Sequence, residues 1–333
     1  MKAFILDGYG HGKPLRFGDL PQPELKDTDV LVEIHAASVN PIDYKIRSGE
    51  FKLILPFKLP VALGSDLAGV VVKVGTKVKS FKPGDEVFAQ TGSDPIGTFA
   101  EYIAVDEANV ALKPKSLSME EAASVPLVAL TAWQALFDRA RIKQGDKVFV
   151  QAGSGGVGVF AIQLAKHAGA TVATTAGAAS AELVKWLGAD TVIDYRNEDF
   201  ARLLSDYDVV LNSQDAAALT KSIGILKPGG RVVSISGPPD PAFASAIGAN
   251  WFVSQVMRLL SLKARRQAKR QGVDYSFLFM QANGAQLAEI AGLIDAGALR
   301  TVVDRVYPFA QTNEAIAHVE TGRAKGKVVI KVS

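Results

Sequence analysis

A glycine-rich turn between a β-type run and a helical pattern is the sequence feature that most constrains the fold. Residues 147–151 form an apolar β-type run, and residues 159–166 have helical character. Between them, Gly153, Gly155 and Gly158 match G-x-G-x-x-G. Glycines at these positions permit a tight turn, a close approach to a pyrophosphate, and close packing of helix and strand. Glycines also serve turns that bind no ligand, so the surrounding sequence decides how this turn is interpreted.

Six β-type runs alternate with helical patterns from about residue 125 to 281. The runs are 147–151, 171–175, 191–194, 208–212, 231–236 and 275–280, and the helical pattern of 216–226 ends at Lys-Pro-Gly-Gly. Strands joined by helical crossovers predict a parallel, doubly wound α/β sheet, a Rossmann domain, which binds ligands beyond the carboxyl ends of its strands. In this setting we expect the turn to hold a dinucleotide pyrophosphate through Ser154, Gly155, Gly156, Val157 and Gly158.

The rest of the chain has a different pattern. Residues 1–124 contain short β-type runs broken by turns, which predict a compact, mainly antiparallel β domain. The tail, residues 282–333, contains two helical and two β-type segments outside the Rossmann pattern, so we expect it to return to the first domain. A cleft between the domain 1–124 with 282–333 and the domain 125–281 would hold nicotinamide and substrate.

Composition removes several classes of function. The 333 residues include no cysteine, and the four histidines are scattered without ligand spacing, so we expect no metal site. A net charge of +3 is too small to indicate nucleic-acid binding. No apolar run approaches the roughly 20 residues of a transmembrane helix, and no secretory signal is recognisable. We therefore expect no stable membrane insertion, and a cytoplasmic location.

Six motifs in order resemble the medium-chain dehydrogenase/reductase superfamily, in its zinc-free quinone oxidoreductase and alkenal (enone) reductase branch. The motifs are residues 37–49, 64–71, 82–87, 97–102, the glycine turn and 322–329. The segment 251–279 is further similar to the branch that contains a reticulon-interacting mitochondrial oxidoreductase. The resemblance implies that the antiparallel domain is a GroES-like catalytic domain, and that the protein is a homodimer paired through the apolar edge of the sixth Rossmann strand.

The resemblance also bears on the reaction. Zinc-dependent members hold their metal with Cys, His and Cys, whereas this chain has Asn40 and Ser65 at the first two positions, and the third falls near residues 126–127. Without thiolates no tetrahedral zinc can polarise an alcohol. We therefore expect hydride transfer to a small-molecule quinone or enone, whose conjugation delocalises the developing charge. An NADPH-binding, crystallin-like or regulatory protein with little catalysis is the alternative, and an alcohol dehydrogenase is the least supported.

The second Rossmann strand suggests the cofactor. NAD enzymes place Asp or Glu at its end, where this chain has Thr-Thr-Ala-Gly at 174–177, so no carboxylate repels a 2′-phosphate and NADPH is favoured. Ser180 replaces the phosphate-binding lysine usual in the family. The resemblance implies further cofactor contacts, with Arg196 or Lys327 supplying charge to the phosphate. The contact residues are Thr175, Ser180, Tyr195, Ser236, Phe279 and Lys327.

The resemblance implies that Asn40, Tyr44 and Thr131 lie near the nicotinamide. Tyr44 would donate its phenol to the substrate oxygen as enolate charge develops, assisted by Thr131. Asp43 and Asp66 have two interpretations. Each could take part in catalysis, or each could be a turn or capping residue, since Asp commonly accepts backbone N–H groups. The basic segment 257–270 has two interpretations. A solvated helix beside the substrate mouth is favoured over a surface that binds a membrane or an acidic partner.

Overall fold

The computed structural model describes residues 1–52, 57–92 and 96–333. The chain forms two compact units. The first comprises Met1–Leu130 and Gln281–Ser333, and the second comprises Thr131–Met280. The helix Pro126–Trp133 contains the boundary between the two units, which falls after Leu130.

The first unit is built mainly from antiparallel sheets. Its strands are β1 (Lys2–Leu6), β2 (Arg16–Asp19), β3 (Asp29–Val39), β4 (Val61–Ala62), β5 (Asp66–Val74), β6 (Glu86–Gln90), β7 (Tyr102–Asp106) and β8 (Val110–Leu112), with β15 (Val303–Pro308) and β16 (Lys327–Lys331) from the tail. Its helices are α1 (Pro41–Ser48), α2 (Met119–Ala123), α3 (Pro126–Trp133), α11 (Gly284–Asp295) and α12 (Thr312–Glu320).

Among the described residues, the larger sheet of this unit has the order β15-β16-β3-β5-β6-β8, and β7 also pairs with β3. The tail strand β16 lies antiparallel to β3, while β15 lies parallel to β16. The central strand β3 is eleven residues long, and Val30 and Val32 are fully buried in it. Because β3 pairs with both β5 and β16, the residues at its carboxyl end have neighbours from two distant parts of the sequence.

The second unit is a parallel six-stranded sheet in the order β11-β10-β9-β12-β13-β14. Its strands are β9 (Lys147–Val150), β10 (Thr171–Ala176), β11 (Thr191–Asp194), β12 (Tyr207–Asn212), β13 (Leu226–Ser234) and β14 (Asp274–Phe277). Its helices are α4 (Gly156–His167), α5 (Ala181–Trp186), α6 (Phe200–Leu203), α7 (Ala216–Gly224), α8 (Pro241–Ala246), α9 (Trp251–Leu260) and α10 (Leu262–Arg270). The predicted doubly wound sheet is confirmed.

The strand order reverses between β9 and β12, which start at the centre of the sheet and lead outward in opposite directions. Val148, Phe149 and Val150 of β9 are fully buried, as expected for a parallel strand covered on both faces. A doubly wound sheet binds ligands at such a reversal. The turn after β9 therefore lies where this architecture places a ligand.

Two predicted boundaries in the sheet are corrected by the structure. Residues 227–230 do not end a helix before the fifth strand but lie inside β13, where the pairing with β12 shifts between Tyr207 and Val209. Gly229 has a φ of +80°, so Pro228 and Gly229 form an irregularity at the exposed start of that strand. The sixth strand ends at Phe277 rather than at 280. It is an edge strand, and pairing of two copies through it stays a prediction.

Candidate functional site

A buried polar cluster forms at the carboxyl end of β3 in the first unit. The sheet register pairs Ser38 with Asp66 of β5, and Val39 with Val328 of β16. Asn40 follows β3 directly and precedes Pro41, the first residue of α1. The antiparallel pairing of β16 thus brings Lys327, just before Val328, alongside Asn40.

Asp66 organises this cluster through both carboxylate oxygens. Its Oδ2 accepts hydrogen bonds from Ser38 Oγ and from Asn40 Nδ2, both at 2.9 Å. Its Oδ1 accepts the backbone N–H of Leu127 at 2.9 Å. Asp66 is completely buried. It accepts hydrogen bonds from neighbouring groups, a backbone N–H included, as one of its two interpretations from the sequence expects.

Lys327 lies in the same buried cluster. Its ammonium donates to Asn40 Oδ1 and to Val39 O at 3.1 Å, and lies 3.4 Å from Asp66 Oδ2. All of these partners belong to the first unit, whereas the predicted phosphate contacts Ser180 and Tyr195 belong to the second. Lys327 is only 4% exposed. Lys327 therefore belongs to the Asn40 cluster, and its contact with the cofactor stays a prediction.

Burial shifts the pKa values of two groups in the cluster, Asp43 and Lys327. Burial raises the pKa of Asp43 to about 7, and the Asp66 carboxylate adds to the rise, although the Asn40 N–H and Lys327 oppose it. Burial lowers the pKa of Lys327, while Asp66 and Asp43 act to raise it. Asp43 Oδ2 accepts the Asn40 N–H at 2.7 Å, which places its carboxyl over the first turn of α1. The capping role left open from the sequence for Asp43 is thus present.

Tyr44 follows Asp43 in α1 and is half-buried against the core of the first unit. Burial, followed by the nearby Glu320 and Glu50 carboxylates, raises the pKa of the Tyr44 phenol above 10.0. The phenol therefore keeps its proton at neutral pH and can serve as a hydrogen-bond donor. Asn40, in contrast, is fully buried, and both polar atoms of its amide already have partners.

Ser65, at one of the positions where zinc-dependent relatives have a ligand, lies directly before β5. It is 5% exposed, and within the described parts of the chain its hydroxyl has no hydrogen-bond partner. Across the same residues, no group of three or more histidine or carboxylate side chains is placed to hold a metal ion.

The glycine turn in the second unit connects β9 to α4 and is hydrogen-bonded to the end of β10. Ala152 N–H donates to Thr175 Oγ1 at 3.0 Å, and Gly153 N–H donates to Thr175 O at 3.0 Å. A Cβ on Gly153 would stand 2.2 Å from Thr174 Oγ1, and one on Gly158 only 2.3 Å from Ala152 O. These two glycines are therefore required by packing within the turn, and Thr175 holds the turn in place.

The remaining turn residues frame the N-terminus of α4. The first hydrogen bond of this helix runs from Val159 N–H to Gly155 O at 3.0 Å, so the N–H groups of Gly156, Val157 and Gly158 precede it. Among the described residues no side chain caps the helix. Residues 154–157 are partly exposed. Donors and the positive end of the helix dipole are the features that bind a phosphate anion.

The end of β10 gathers the residues predicted to recognise the 2′-phosphate. Tyr195 and Arg196 follow β11, which runs parallel to β10, and the Arg196 guanidinium lies 5.7 Å from the Tyr195 ring centroid. The Tyr195 hydroxyl and Arg196 Nε both lie 4.0 Å from the point where a Cβ on Gly177 would stand. Ser180 N–H donates to Gly177 O at 2.8 Å. The structure thus brings Gly177, Ser180, Tyr195 and Arg196 together.

A buried polar network that the sequence reasoning missed lies at the ends of β9, β12 and β13. Asn212 Nδ2 donates to Gln151 Oε1 at 2.7 Å, and Ser234 Oγ donates to Asn212 Oδ1 at 2.6 Å. Gln151 Nε2 donates to Ser222 Oγ at 2.7 Å, and Gly237 N–H donates to Ser234 Oγ at 2.7 Å. A polar residue at the end of each apolar run was the available signal. The network supports the loops at the reversal of strand order.

The other predicted residues of the second unit lie beside these strand ends. Ser236 is exposed, and its hydroxyl donates to Gln214 O at 2.6 Å. Phe279 lies beyond β14, and its ring centroid is 5.6 Å from that of Phe243 in α8. Thr131 is buried in α3.

The described residues contain no helix that is both long enough and apolar enough to span a membrane. Two family models match the chain. The alcohol dehydrogenase GroES-like domain matches residues 26–115, within the antiparallel unit, and the zinc-binding dehydrogenase model matches residues 187–330. The predicted GroES-like and Rossmann combination is confirmed.

Similar proteins include mouse NAD(P)H oxidoreductase RTN4IP1, mitochondrial, which is 37% identical over 100% of this chain and 89% of its own length. NADPH-dependent alkenal/one oxidoreductase, chloroplastic, of Arabidopsis thaliana is 37% identical over 99% of this chain and 79% of its own. The solved structure of the quinone oxidoreductase from Coxiella burnetii superposes with a TM-score of 0.86 at 33% identity, covering 100% of this chain and 99% of its own. The chain therefore belongs to the medium-chain dehydrogenase/reductase superfamily, in its branch of quinone oxidoreductases and alkenal/enone reductases.

Proposed function

We propose that this protein is a zinc-independent, NADPH-dependent reductase that transfers hydride to a quinone or to the activated C=C of an α,β-unsaturated carbonyl. The observation that carries the proposal is the combination of an uncapped helix N-terminus after β9 with a β10 end that has no carboxylate. The related alkenal/one and quinone oxidoreductases support the acceptor class.

The residues of the second unit fit a dinucleotide. Ser154, Gly155, Gly156 and Val157 would hold the pyrophosphate, because Gly155 keeps the backbone accessible and the first-turn N–H groups are donors. Arg196 and Tyr195 would contact the 2′-phosphate, since both side chains are exposed beside Gly177. The nearby Asp194 carboxylate accepts Arg196 N–H and Asn197 Nδ2, which fixes the loop that carries Arg196. When bound, the nicotinamide supplies the hydride.

Tyr44 would provide the proton-donating group. An acceptor carbonyl gains negative charge as hydride arrives at its conjugated carbon, and a positioned hydroxyl stabilises that charge. The raised pKa of Tyr44 keeps its O–H intact in this role. Thr131 would add a second hydroxyl. Asn40 is enclosed by Asp66 and Lys327, so we assign it a positioning role at the start of the helix that carries Tyr44.

The experiment that tests this function is a steady-state assay of the purified protein with NADPH or NADH against quinones, enones, alkenals and secondary alcohols. We expect turnover with NADPH and with quinones or enones, with NADH less effective. Arg196→Ala should reduce the preference for NADPH about tenfold or more, because a charge-assisted contact to phosphate is lost. Arg202→Ala, which removes another exposed arginine from the same unit, is the matched control.

Other outcomes would contradict the proposal in distinguishable ways. Oxidation of secondary alcohols alone would indicate an alcohol dehydrogenase. Tight NADPH binding without turnover of any acceptor would favour the crystallin-like or regulatory alternative. Failure to bind either nicotinamide cofactor would remove the proposed site itself.

A further inference from the structure

An apolar surface is exposed on helix α9 in the second unit. Its exposed members are Trp251 (75%), Phe252 (69%), Leu259 (67%) and Leu260 (60%), with Val256 at 39%. The spacing of residues 252, 256, 259 and 260 places them along one side of a helix. Met257 is the buried residue of α9 and attaches the helix to the unit. We call the five exposed side chains the apolar stripe.

The next helix, α10, presents positive charge. Its buried residues Ala264 and Ala268 pack inward, so the charged side chains lie on its outer side. The exposed basic residues of the two helices are Arg258, Lys263, Arg266, Lys269 and Arg270. No Asp or Glu occurs between residues 241 and 273. Within the described parts of the chain, none of the five forms an ion pair, and we call them the basic group.

Arg265 is not part of the basic group, because its guanidinium is bound within the protein. Its Nε donates to Ser261 Oγ at 3.1 Å, and its Nη2 donates to Arg258 O at 3.1 Å, so it closes the junction between α9 and α10. The buried Ser261 hydroxyl in turn donates to Met257 O at 2.9 Å. These contacts fix the two helices relative to each other. Ser261, which joins the helices, has right-handed helical φ and ψ, so the apolar stripe and the basic group lie on two consecutive helices that follow each other directly.

We propose that α9 and α10 together dock the protein on the surface of an anionic phospholipid bilayer. Bulky aromatic and aliphatic side chains beside lysines and arginines are what an interfacial helix needs, because the former enter the acyl boundary and the latter attract lipid phosphates. A second copy of the chain is a poor binding partner for this surface. Symmetric pairing through this surface would bring two acid-free basic groups together, at a cost in charge repulsion. The uncompensated charge thus selects an anionic partner, and the exposed tryptophan and phenylalanine select a lipid surface.

The proposal is independent of the proposed reductase function, since neither helix contributes a residue to the glycine turn or to the Asn40 cluster. Binding would be peripheral and reversible, with residues 251–260 lying in the plane of the interface. Its strength should fall with rising salt, because the exposed charges are screened.

Co-sedimentation of the full-length protein with vesicles tests the proposal. Vesicles of phosphatidylcholine alone are compared with vesicles containing about one third phosphatidylserine. We expect binding to the anionic vesicles at low salt and little binding to the neutral ones. The triple variant Lys263→Glu, Arg266→Glu, Arg270→Glu should lower the partition coefficient more than about tenfold. The matched control reverses three exposed lysines elsewhere, Lys73→Glu, Lys79→Glu and Lys143→Glu, which changes net charge equally.

The apolar stripe is tested separately. Phe252→Ser with Leu259→Ser should weaken binding about tenfold or more while leaving the basic group intact. Trp251→Phe keeps an aromatic side chain and should keep vesicle binding, but it should abolish the blue shift in tryptophan fluorescence that vesicles induce. Circular dichroism and NADPH turnover without vesicles check that each variant is folded.

Several results would overturn the proposal. They are no sedimentation with anionic vesicles at low salt, equal binding to neutral vesicles, and equal losses in the α10 charge variant and the control charge variant. Self-association that the serine variants abolish, without vesicle binding, would assign the stripe to a second copy instead. Salt-sensitive capture by an acidic protein without vesicle binding would assign the basic group to a protein partner.

Discussion

At the residue scale, three ionisable groups share the buried cluster beside Asn40. Lys327 supplies one positive charge to a space that also holds the Asp66 and Asp43 carboxyls. Burial acts on these groups in opposite directions, raising the pKa of Asp43 and lowering that of Lys327, because each group is less stable charged in a low-dielectric environment. When Asp43 is protonated, the Lys327 ammonium compensates the charge of the Asp66 carboxylate alone.

Asp43→Asn should change how stability depends on pH. The unfolded carboxyl ionises near 3.8 but the folded one near 7, so rising pH ionises the unfolded chain first and destabilises the wild-type fold across that interval. Above about pH 7 the folded carboxyl ionises too and the decline ends. The variant lacks this decline while its amide oxygen can still accept the Asn40 N–H. Urea unfolding at pH 5, 6, 7 and 8 should show the variant gaining on wild type by a few kcal/mol at most.

The control for this measurement is Asp206→Asn, which removes an exposed carboxyl in the other unit and should retain the wild-type profile. Parallel pH profiles for wild type and Asp43→Asn would mean that Asp43 is already ionised at pH 5 in the folded protein.

Tyr44→Phe should lower kcat/KM for enones by about tenfold or more, because a hydrogen bond to the developing oxyanion is lost. The affinity for NADPH should not change, since the proposed cofactor contacts lie in the second unit. Tyr102→Phe, which removes a phenol of the same unit whose hydroxyl is 3.4 Å from Glu33, is the matched control. Unchanged turnover in Tyr44→Phe would remove this residue from the mechanism.

At the element scale, the turn between β9 and α4 is determined by what surrounds its glycines. Gly158 is closed in by backbone, with Ala152 O 2.3 Å and the Gly153 Cα 2.6 Å from a Cβ placed on it. Backbone atoms cannot move aside as a flexible side chain can. The close packing of helix and strand inferred from the motif is therefore visible at this glycine.

Gly158→Ala should displace the start of α4. We expect a loss of about 1–3 kcal/mol in the free energy of unfolding, as for overpacking elsewhere, and a weakened affinity for NADPH. Denaturant unfolding and a fluorescence titration with NADPH measure the two effects. Gly224→Ala in α7 is the control, because no atom lies within 4 Å of its added Cβ, and it should be neutral or stabilising. Normal NADPH affinity in Gly158→Ala would show that the turn does not position the phosphate donors.

Helix α9 shows how burial changes an interpretation made from sequence. The basic segment 257–270 suggested a solvated helix, but the most exposed apolar side chains, Trp251 and Phe252, lie before that segment. Only the packing of Met257 and Ala264 reveals which sides of α9 and α10 face outward. Hydrophobic periodicity identifies an apolar side, but it does not say whether the protein covers that side.

At the scale of the whole molecule, the chain returns at its end to the sheet of its first unit. Strand β16 is inserted between β15 and β3, and its residues Val328, Val329 and Ile330 are almost completely buried. The two units thus differ in how they are encoded, since the second is one continuous segment and the first is assembled from both ends of the chain.

This difference explains what could be predicted. The alternation of strands and helices, the glycine turn and the missing carboxylate after β10 are local patterns, and residues 147–281 display them without reference to distant sequence. The absence of cysteine is likewise a property of composition. The contacts of Lys327 with Asn40 and Asp66 could not be predicted, because they depend on the register between β16 and β3, strands that lie about 290 residues apart. Gln151, Asn212 and Ser234 were missed for the same reason, since they meet only when three strands align.

The sequence by itself determined the alternation of strands and helices, the glycine-rich turn between β9 and α4, and the lack of thiolates, because periodicity, glycine spacing and composition are all local quantities. The tertiary structure alone decided that Lys327 neutralises Asp66 beside Asn40, that Asp43 is buried enough for its pKa to rise to about 7, and that the aromatic side chains of α9 are left exposed. Burial and strand register are relations between distant residues, and they exist only once the chain has packed.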